Sequence, residues 1–142
     1  MGRWSAVERS LRARGARLIA GVDEVGRGPL AGPVFACALI MPPDARAIAG
    51  VEDSKRLSPA ARDRLALKIR AKAVSLALGA ASVREIAELN IYQATALAMR
   101  RAIGRLTQVP DAVLVDGKPI KTLGVPHQAF VGGDRRIHVI AC

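Results

Sequence analysis

The segment from Leu18 to Gly32 constrains the fold more than any other part of the chain. It opens with an apolar run, Leu18 to Val22, that continues directly into two adjacent carboxylates, Asp23 and Glu24. A short apolar run bounded by glycine and proline is typical of a buried β-strand. Unpaired charges inside such a strand are costly, so we expect the two acids to have a compensating partner.

Two partners for these acids are consistent with the sequence. One is a hard divalent cation, Mg²⁺ or Mn²⁺, because such ions prefer carboxylate oxygens and keep part of their water. The other is Arg27, which would form an ion pair with Asp23 or Glu24 at the end of the strand. The choice depends on which other acids the fold brings to this place.

A third acid, Asp116, directly follows another apolar run, residues 112–115. If the two strands are neighbours, Asp23, Glu24 and Asp116 converge at one edge of the sheet. Adjacent residues of a regular strand point to opposite faces, so we expect the first strand to end or bulge at its two acids. Three acids without a nearby histidine or cysteine suit a hard cation and not zinc.

The remaining pattern predicts one α/β domain over residues 1–142, a mixed sheet with helices against it. The first two strands are separated by about eight residues, which is too short for a helical crossover, so they should pair antiparallel. A helix before the fourth strand implies a right-handed parallel crossover. The predicted strands cover 17–24, 33–41, 74–81, 112–115 and 127–131, and the predicted helices cover 4–14, a stretch opening at 58–59, 82–89 and 91–106.

The composition favours a polyanionic partner. The chain has 22 basic and 12 acidic residues, a net charge of +10, and most of the basic residues are arginines, whose planar donors suit phosphate. Nucleic acid is the first candidate, and a solvated basic surface without a partner is the alternative. On a basic domain, an acid cluster that holds metal ions next to bound phosphates predicts phosphodiester hydrolysis.

The glycines of the Gly26-Arg27-Gly28 turn favour a close approach of the backbone to a ligand. A dinucleotide fingerprint is excluded because a proline and another strand follow this turn, where that motif needs a helix. Exposed backbone groups at this turn are suited to reading the 2′-hydroxyl that distinguishes RNA from DNA.

The two cysteines, Cys37 and Cys142, do not form a disulfide framework, and we expect Cys37 in the core. No apolar run approaches the ~18 residues of a membrane helix, and the N-terminus lacks the apolar region of a signal peptide. We therefore expect a cytoplasmic protein with no membrane contact. The two histidines, His127 and His138, are interpreted as structural or surface residues.

Several separate motifs resemble those of the ribonuclease HII family, in the same order. The resemblance covers nearly the whole chain from residue 17 onward. Its segments are DEVGRGPLAGPV at 23–34, DSKRLS at 53–58, Asn90-Ile91 with Ala94-Thr95 and Ala98-Met99, Val115-Asp116-Gly117, and Gly133-Asp134.

This resemblance implies a ribonuclease H-like fold, a mixed five-stranded sheet flanked by helices. It implies hydrolysis of the RNA strand of RNA–DNA hybrids, including ribonucleotides embedded in DNA. It also implies that Asp23, Glu24 and Asp116 are the catalytic metal ligands, with Mn²⁺ or Mg²⁺ as the cofactor. No obligate protein partner is inferred.

For substrate binding, the resemblance implies that Gly26, Arg27 and Gly28 contact the 2′-hydroxyl side of the ribonucleotide. Lys55 is similar in position to a lysine that contacts a substrate phosphate. From the residues alone, Lys118 and Lys121 are further candidates for phosphate contact because they follow Asp116 closely.

The family pattern continues past Gly133-Asp134 into a helix with a fourth catalytic aspartate and then a tyrosine, whereas this sequence stops at Cys142. We therefore expect the C-terminal helices to be missing and the chain as given to be marginally folded and a poor enzyme. The alternative function is a catalytically impaired fragment that binds hybrid nucleic acid without cutting it.

Overall fold

The computed structural model describes residues 6–25, 32–42, 58–116, 120 and 123–130. Within these ranges, every predicted strand and helix is present, with ends shifted by a few residues. The elements in chain order are α1 Ala6–Ala13, β1 Ile19–Val25, β2 Val34–Ile40, α2 Pro59–Lys72, β3 Ser75–Ala81, α3 Val83–Leu89, α4 Ile91–Gly104, β4 Ala112–Asp116 and β5 Gln128–Phe130. None of the helices in these ranges is long and apolar enough to cross a membrane.

The five strands form one mixed sheet in the order β3-β2-β1-β4-β5. β1 pairs antiparallel with β2, as the short connection predicts, and β2 pairs antiparallel with β3. β4 lies parallel to both β1 and β5. The predicted mixed five-stranded sheet is therefore confirmed, and β1 is its central strand.

Asp111 fixes where β1 and β4 begin to pair. Its Oδ2 accepts hydrogen bonds from the backbone amides of Arg17 and Leu18, both at 2.9 Å. In return, the Asp111 amide donates to the Leu18 carbonyl at 2.7 Å. The two amides, Leu18 first, lower the pKa of the Asp111 carboxyl. This double contact aligns Ile19 with Ala112 in the parallel pair.

Each face of the sheet has its own hydrophobic cluster. On one face, the small side chains of α4 pack against alternate residues of the strands, with Ala94, Ala98 and Ala102 fully buried. Spaced by four residues, these three alanines form one small face of α4 that packs closely on the sheet. On the other face, α1 and α2 cover Ile19 and Leu114.

Gly79 in β3 is where helix and sheet approach most closely. A Cβ built at this position would clash with the carbonyl oxygen of Ala98 and the amide nitrogen of Ala102. Both are backbone atoms of α4, so they cannot move aside as a flexible side chain would. The alanine-rich face of α4 and the missing side chain at position 79 together bring the helix onto the sheet.

Asn90 joins two helices at a sharp corner. It has a positive φ of 78°, it ends α3 and its side chain caps α4 by accepting from the Gln93 amide at 3.0 Å. With a ψ of 167°, this is a conformation that residues other than glycine rarely adopt, while asparagine is a favoured N-cap. At the start of α3, Ser82 and Glu85 form a capping box.

An ion pair ties α3 to α4 and to β3. Nη1 and Nη2 of Arg101 donate to the two oxygens of the Glu85 carboxylate, at 2.8 and 2.7 Å. Nη1 also donates to the Ala80 carbonyl. The hydrogen bond from Arg101, followed by that from the Ser82 amide, lowers the pKa of Glu85 to about 2. The pair therefore connects the edge strand to both helices of its layer.

We expect Gly79→Ala to destabilise the fold by about 1–3 kcal/mol, because its methyl group overpacks a close helix–sheet contact. The matched control is Gly104→Ala, since a Cβ at Gly104 meets nothing within 4 Å. Urea unfolding of both variants is the measurement. Equal free energies of unfolding in the two variants would contradict the close approach.

We expect Glu85→Gln to lower the thermal midpoint at neutral pH and to flatten its acid dependence. Because the folded-state pKa of about 2 lies below the ordinary 4.5, the contribution of the ionised carboxylate is complete above pH 4.5 and is lost as pH falls toward 2. The control is Glu88→Gln, which removes an exposed 3.3 Å pair with Arg84. Thermal melts between pH 2 and 7 should separate them, and identical profiles would rule out the proposed role of Glu85.

Candidate metal centre at the ends of β1 and β4

Asp23 and Asp116 occupy equivalent positions on neighbouring parallel strands. The parallel register runs to Val22 opposite Val115, and each acid is the next residue along its strand. Both valines are buried on the α4 face, and alternation along a strand places the two aspartates on the opposite face. Both aspartates are partly exposed. β1 and β4 are therefore neighbours, as predicted, and their pairing brings Asp23 and Asp116 to one edge of the sheet.

Glu24 does not share their face. It pairs with Ala36 of β2, which is buried on the α4 side, so Glu24 lies on that side of the sheet. We expected the strand to end or bulge at its acids. It does not bulge, because its register with β2 is regular as far as Val25, and it ends there, one residue after Glu24. Pairing with β2 keeps β1 extended and keeps its alternation intact.

The predicted convergence of three acids is not seen within the described ranges. These residues contain no group of three or more histidine, cysteine, aspartate or glutamate side chains that could hold a metal ion. Two aspartates at adjacent strand ends remain suitable for a hard cation, which takes oxygen donors and completes its shell with water. Asp23 and Asp116 therefore fit such an ion as a pair, and Glu24 lies on the other face of the sheet.

The Asp23 carboxylate is held close to its own backbone. Its Oδ1 accepts from the Glu24 amide at 2.8 Å. Across the strand pair, Asp23 lies opposite Cys37, a partly exposed residue and not the core residue we expected. Burial, and then the charge of Asp23, raise the pKa of the Cys37 thiol, while Arg70 of α2 opposes them.

Cys37 and Arg70 are site neighbours that sequence reasoning missed. Cys37 lies in an apolar run, and only the β1–β2 register shows that it faces Asp23. Arg70 lies in the last turn of α2, far along the chain, yet its charge acts on the Cys37 thiol. Helix α2 therefore brings positive charge to the face of the sheet that bears Asp23.

The chain after Asp116 is anchored by a histidine. His127 Nε2 accepts from the Ile120 amide at 3.0 Å, and Nδ1 lies 2.9 Å from the Val125 carbonyl, which identifies the Nδ1-protonated tautomer. Ile120 and Leu123 insert into the cluster beneath α4. The predicted structural role of His127 is confirmed.

The remaining predicted contacts of the substrate lie outside the described residues. This applies to the glycine-rich turn, to the predicted phosphate contacts and to the C-terminal motif. The residues concerned are Gly26, Arg27, Gly28, Lys55, Lys118, Lys121, Gly133 and Asp134. His138, which we interpreted as a structural or surface residue, also lies outside the described residues.

Solved structures identify the class of fold. The chain superposes on the ribonuclease H2 from Pyrococcus horikoshii OT3 with a TM-score of 0.74 and 25% identity, over 87% of this chain and 67% of that one. It also matches Bst-RNase HIII in complex with Mn²⁺, with a TM-score of 0.72 over 96% of this chain and 51% of that one. At 20% identity, the second likeness shows the fold alone. The fold is therefore ribonuclease H-like.

Sequence comparison identifies the family. The profile of the family described as Ribonuclease HII matches residues 20–142. Ribonuclease HII of Solibacter usitatus is 49% identical over 137 residues, which is 96% of this chain and 59% of that protein. The chain belongs to the ribonuclease HII family, and it spans between 57% and 66% of the length of the curated relatives it matches.

We expect Asp23→Asn to speed alkylation of Cys37, because removing the acid's charge lowers the pKa of the thiol and increases the thiolate fraction. Arg70→Gln should slow it. Iodoacetamide kinetics in a Cys142→Ser background isolate this thiol, and Asp63→Asn on the exposed side of α2 is the charge-matched control. An alkylation rate that Asp23→Asn leaves unchanged would show that the Asp23 carboxylate does not act on the Cys37 thiol.

Proposed function

We propose that this chain is the catalytic part of a metal-dependent endonuclease that hydrolyses the RNA strand of RNA–DNA hybrids, including ribonucleotides embedded in DNA. The observation that carries the proposal is the placement of Asp23 and Asp116 side by side at the ends of parallel strands, in a member of the ribonuclease HII family. The proposal treats residues 1–142 as a single domain.

Asp23 and Asp116 are the proposed holders of a Mg²⁺ or Mn²⁺ ion. Their oxygens are the donors that both ions prefer, and a structure of the related Bst-RNase HIII contains Mn²⁺. When bound, such an ion activates water and stabilises the leaving oxygen of a phosphodiester. The proposal keeps Glu24 as a further ligand because of the family motif, although Glu24 lies on the opposite face of the sheet from Asp23.

The net charge of +10 supports nucleic acid as the substrate, since cationic side chains gain affinity by releasing counterions from phosphates. The proposal assigns recognition of the 2′-hydroxyl to Gly26, Arg27 and Gly28, and a phosphate contact to Lys55. These four assignments rest on the family motifs. A hybrid offers both a 2′-hydroxyl and a continuous row of phosphates, so it satisfies both kinds of contact.

A cytoplasmic location is part of the proposal. Cys37 is a free thiol, and free thiols persist in the reducing conditions of that compartment.

We expect Asp116→Asn to weaken Mn²⁺ binding at least about tenfold, the lower end of what even the loss of an outer-shell partner costs a metal site. The Mn²⁺ affinity from calorimetric titration and the rate of RNA–DNA hybrid cleavage in Mg²⁺ should fall together. Asp63→Asn is the matched control, because Asp63 is an exposed acid on α2. Undiminished Mn²⁺ affinity in Asp116→Asn would exclude Asp116 from the site.

A further inference from the structure

In the part of the chain that the structure describes, the positive charge is concentrated on one side of the sheet. Residues 6–17 hold four arginines against Glu8, and residues 58–72 hold five basic residues against Asp63, so these stretches supply +7 of the net +10. The first stretch contains α1 and the second contains α2. Both helices pack into the same hydrophobic cluster, on the face of the sheet opposite α4.

On α2, three of these cations form a single line. Arg64, Lys68 and Lys72 are spaced by four residues and all three are exposed. We call them the α2 row. At 1.5 Å per residue, neighbours in the row are about 6 Å apart along the helix axis and the whole row spans about 12 Å.

The α2 row has no compensation on its own helix. Residues four apart on a helix are neighbours, and like charges at that spacing repel each other. The only acid of α2, Asp63, is not three or four residues from any member of the row. The first turn of α2 contains no acid, although acids are favoured there. An anionic partner would relieve this repulsion.

The apolar stripe of α2 is already used by the core. Leu65 and Ile69 pack into the cluster with α1, and Ile69 is the only buried residue of the helix. Leu67 is the large apolar residue of α2 that points outward, with 66% of its surface exposed. A helix that lies in a membrane surface needs a broad apolar face, which α2 does not offer. The exposed part of α2 therefore suits phosphates better than lipid.

We propose that the α2 row binds the phosphate backbone of a nucleic-acid duplex, away from the phosphate that reacts. One strand of a duplex carries a phosphate about every 3.4 Å along its axis, so a ~12 Å row spans about three to four of them. Helix α2 covers the face of the sheet on which Asp23 and Asp116 lie. A duplex on the row lies on the side of the aspartates.

The proposal rests on the proposed function, because it takes the substrate duplex as the partner. Backbone contacts do not read sequence or sugar. The α2 row should therefore strengthen binding to RNA–DNA hybrid and to plain DNA duplex equally. Discrimination between these two duplexes belongs to other residues.

The test is the salt dependence of duplex binding by the full 142-residue chain. The row variant is Arg64→Gln/Lys68→Gln/Lys72→Gln, in which glutamine keeps a high helix propensity. The control variant is Arg14→Gln/Arg62→Gln/Arg84→Gln, which removes the same number of exposed cations elsewhere, one of them from the other flank of α2. Fluorescence anisotropy from 50 to 200 mM salt gives the slope of log K against log[salt], on hybrid and on DNA of the same sequence.

The row variant should lose about 2–3 from the magnitude of this slope on both duplexes, since each lost phosphate contact removes ~0.9. The control variant should lose less than one. Circular dichroism checks that both variants fold, and the single variant Lys68→Gln, with an expected loss of about one, replaces the triple variant if it unfolds.

Four results would overturn the proposal. Equal slopes in the row and control variants would show that only net charge matters. A row variant that binds both duplexes normally but no longer binds phosphatidylglycerol vesicles would assign the row to lipid. A wild-type chain that binds neither duplex would overturn the proposed function as well. Normal wild-type binding, with the same salt dependence in the row variant, would overturn the role of the α2 row alone.

Discussion

The parallel pairing of β1 with β4 is the contact on which the candidate site depends. β4 joins the sheet after a helical crossover, so no short connection sets its register. Asp111 sets it instead, by accepting from the amides of Arg17 and Leu18 at the start of the strand pair. A few residues later the two strands reach their acids together. Carboxylate hydrogen bonds to backbone amides at one end therefore determine which carboxylates meet at the other.

The packing of α4 on its face of the sheet holds the β1–β4 pair in place. The cluster on the α4 face consists mainly of alanine and valine, and aromatic side chains make up only 3% of the sequence. Small side chains allow α4 to approach the sheet closely, and Gly79 shows how little space is left. Dispersion contacts fall off steeply with distance, so such a core stabilises the fold only if the helix stays in place. The bidentate pair of Arg101 with Glu85 holds α4 to α3 and to the edge strand.

Local chemistry made much of this fold predictable from the sequence. The capping box at Ser82, the dual role of Asn90 and the alanine face of α4 each depend on residues within a few positions of one another. The short β1–β2 connection similarly allowed the antiparallel pair to be predicted.

What the sequence could not provide was the register between distant segments and its consequences for side chains. Asp23 and Asp116 lie at equivalent positions because of the register in which β4 pairs with β1. Local sequence patterns do not encode that register. The regular course of β1 beyond its acids, which places Glu24 on the other face, is imposed by β2. The proximity of Arg70 to Cys37 follows from how α2 packs, and no spacing in the sequence indicates it.

The central claim is that one divalent ion binds where β1 and β4 end. The most direct test is paramagnetic broadening of backbone amide resonances on addition of Mn²⁺ to the ¹⁵N-labelled chain. We expect the amide resonances of Glu24 and Asp116 to broaden first, and those of Ser82 and Glu85 in the capping box to stay sharp at the same Mn²⁺ concentration. Broadening centred on any other part of the chain, with sharp signals at Glu24 and Asp116, would contradict it.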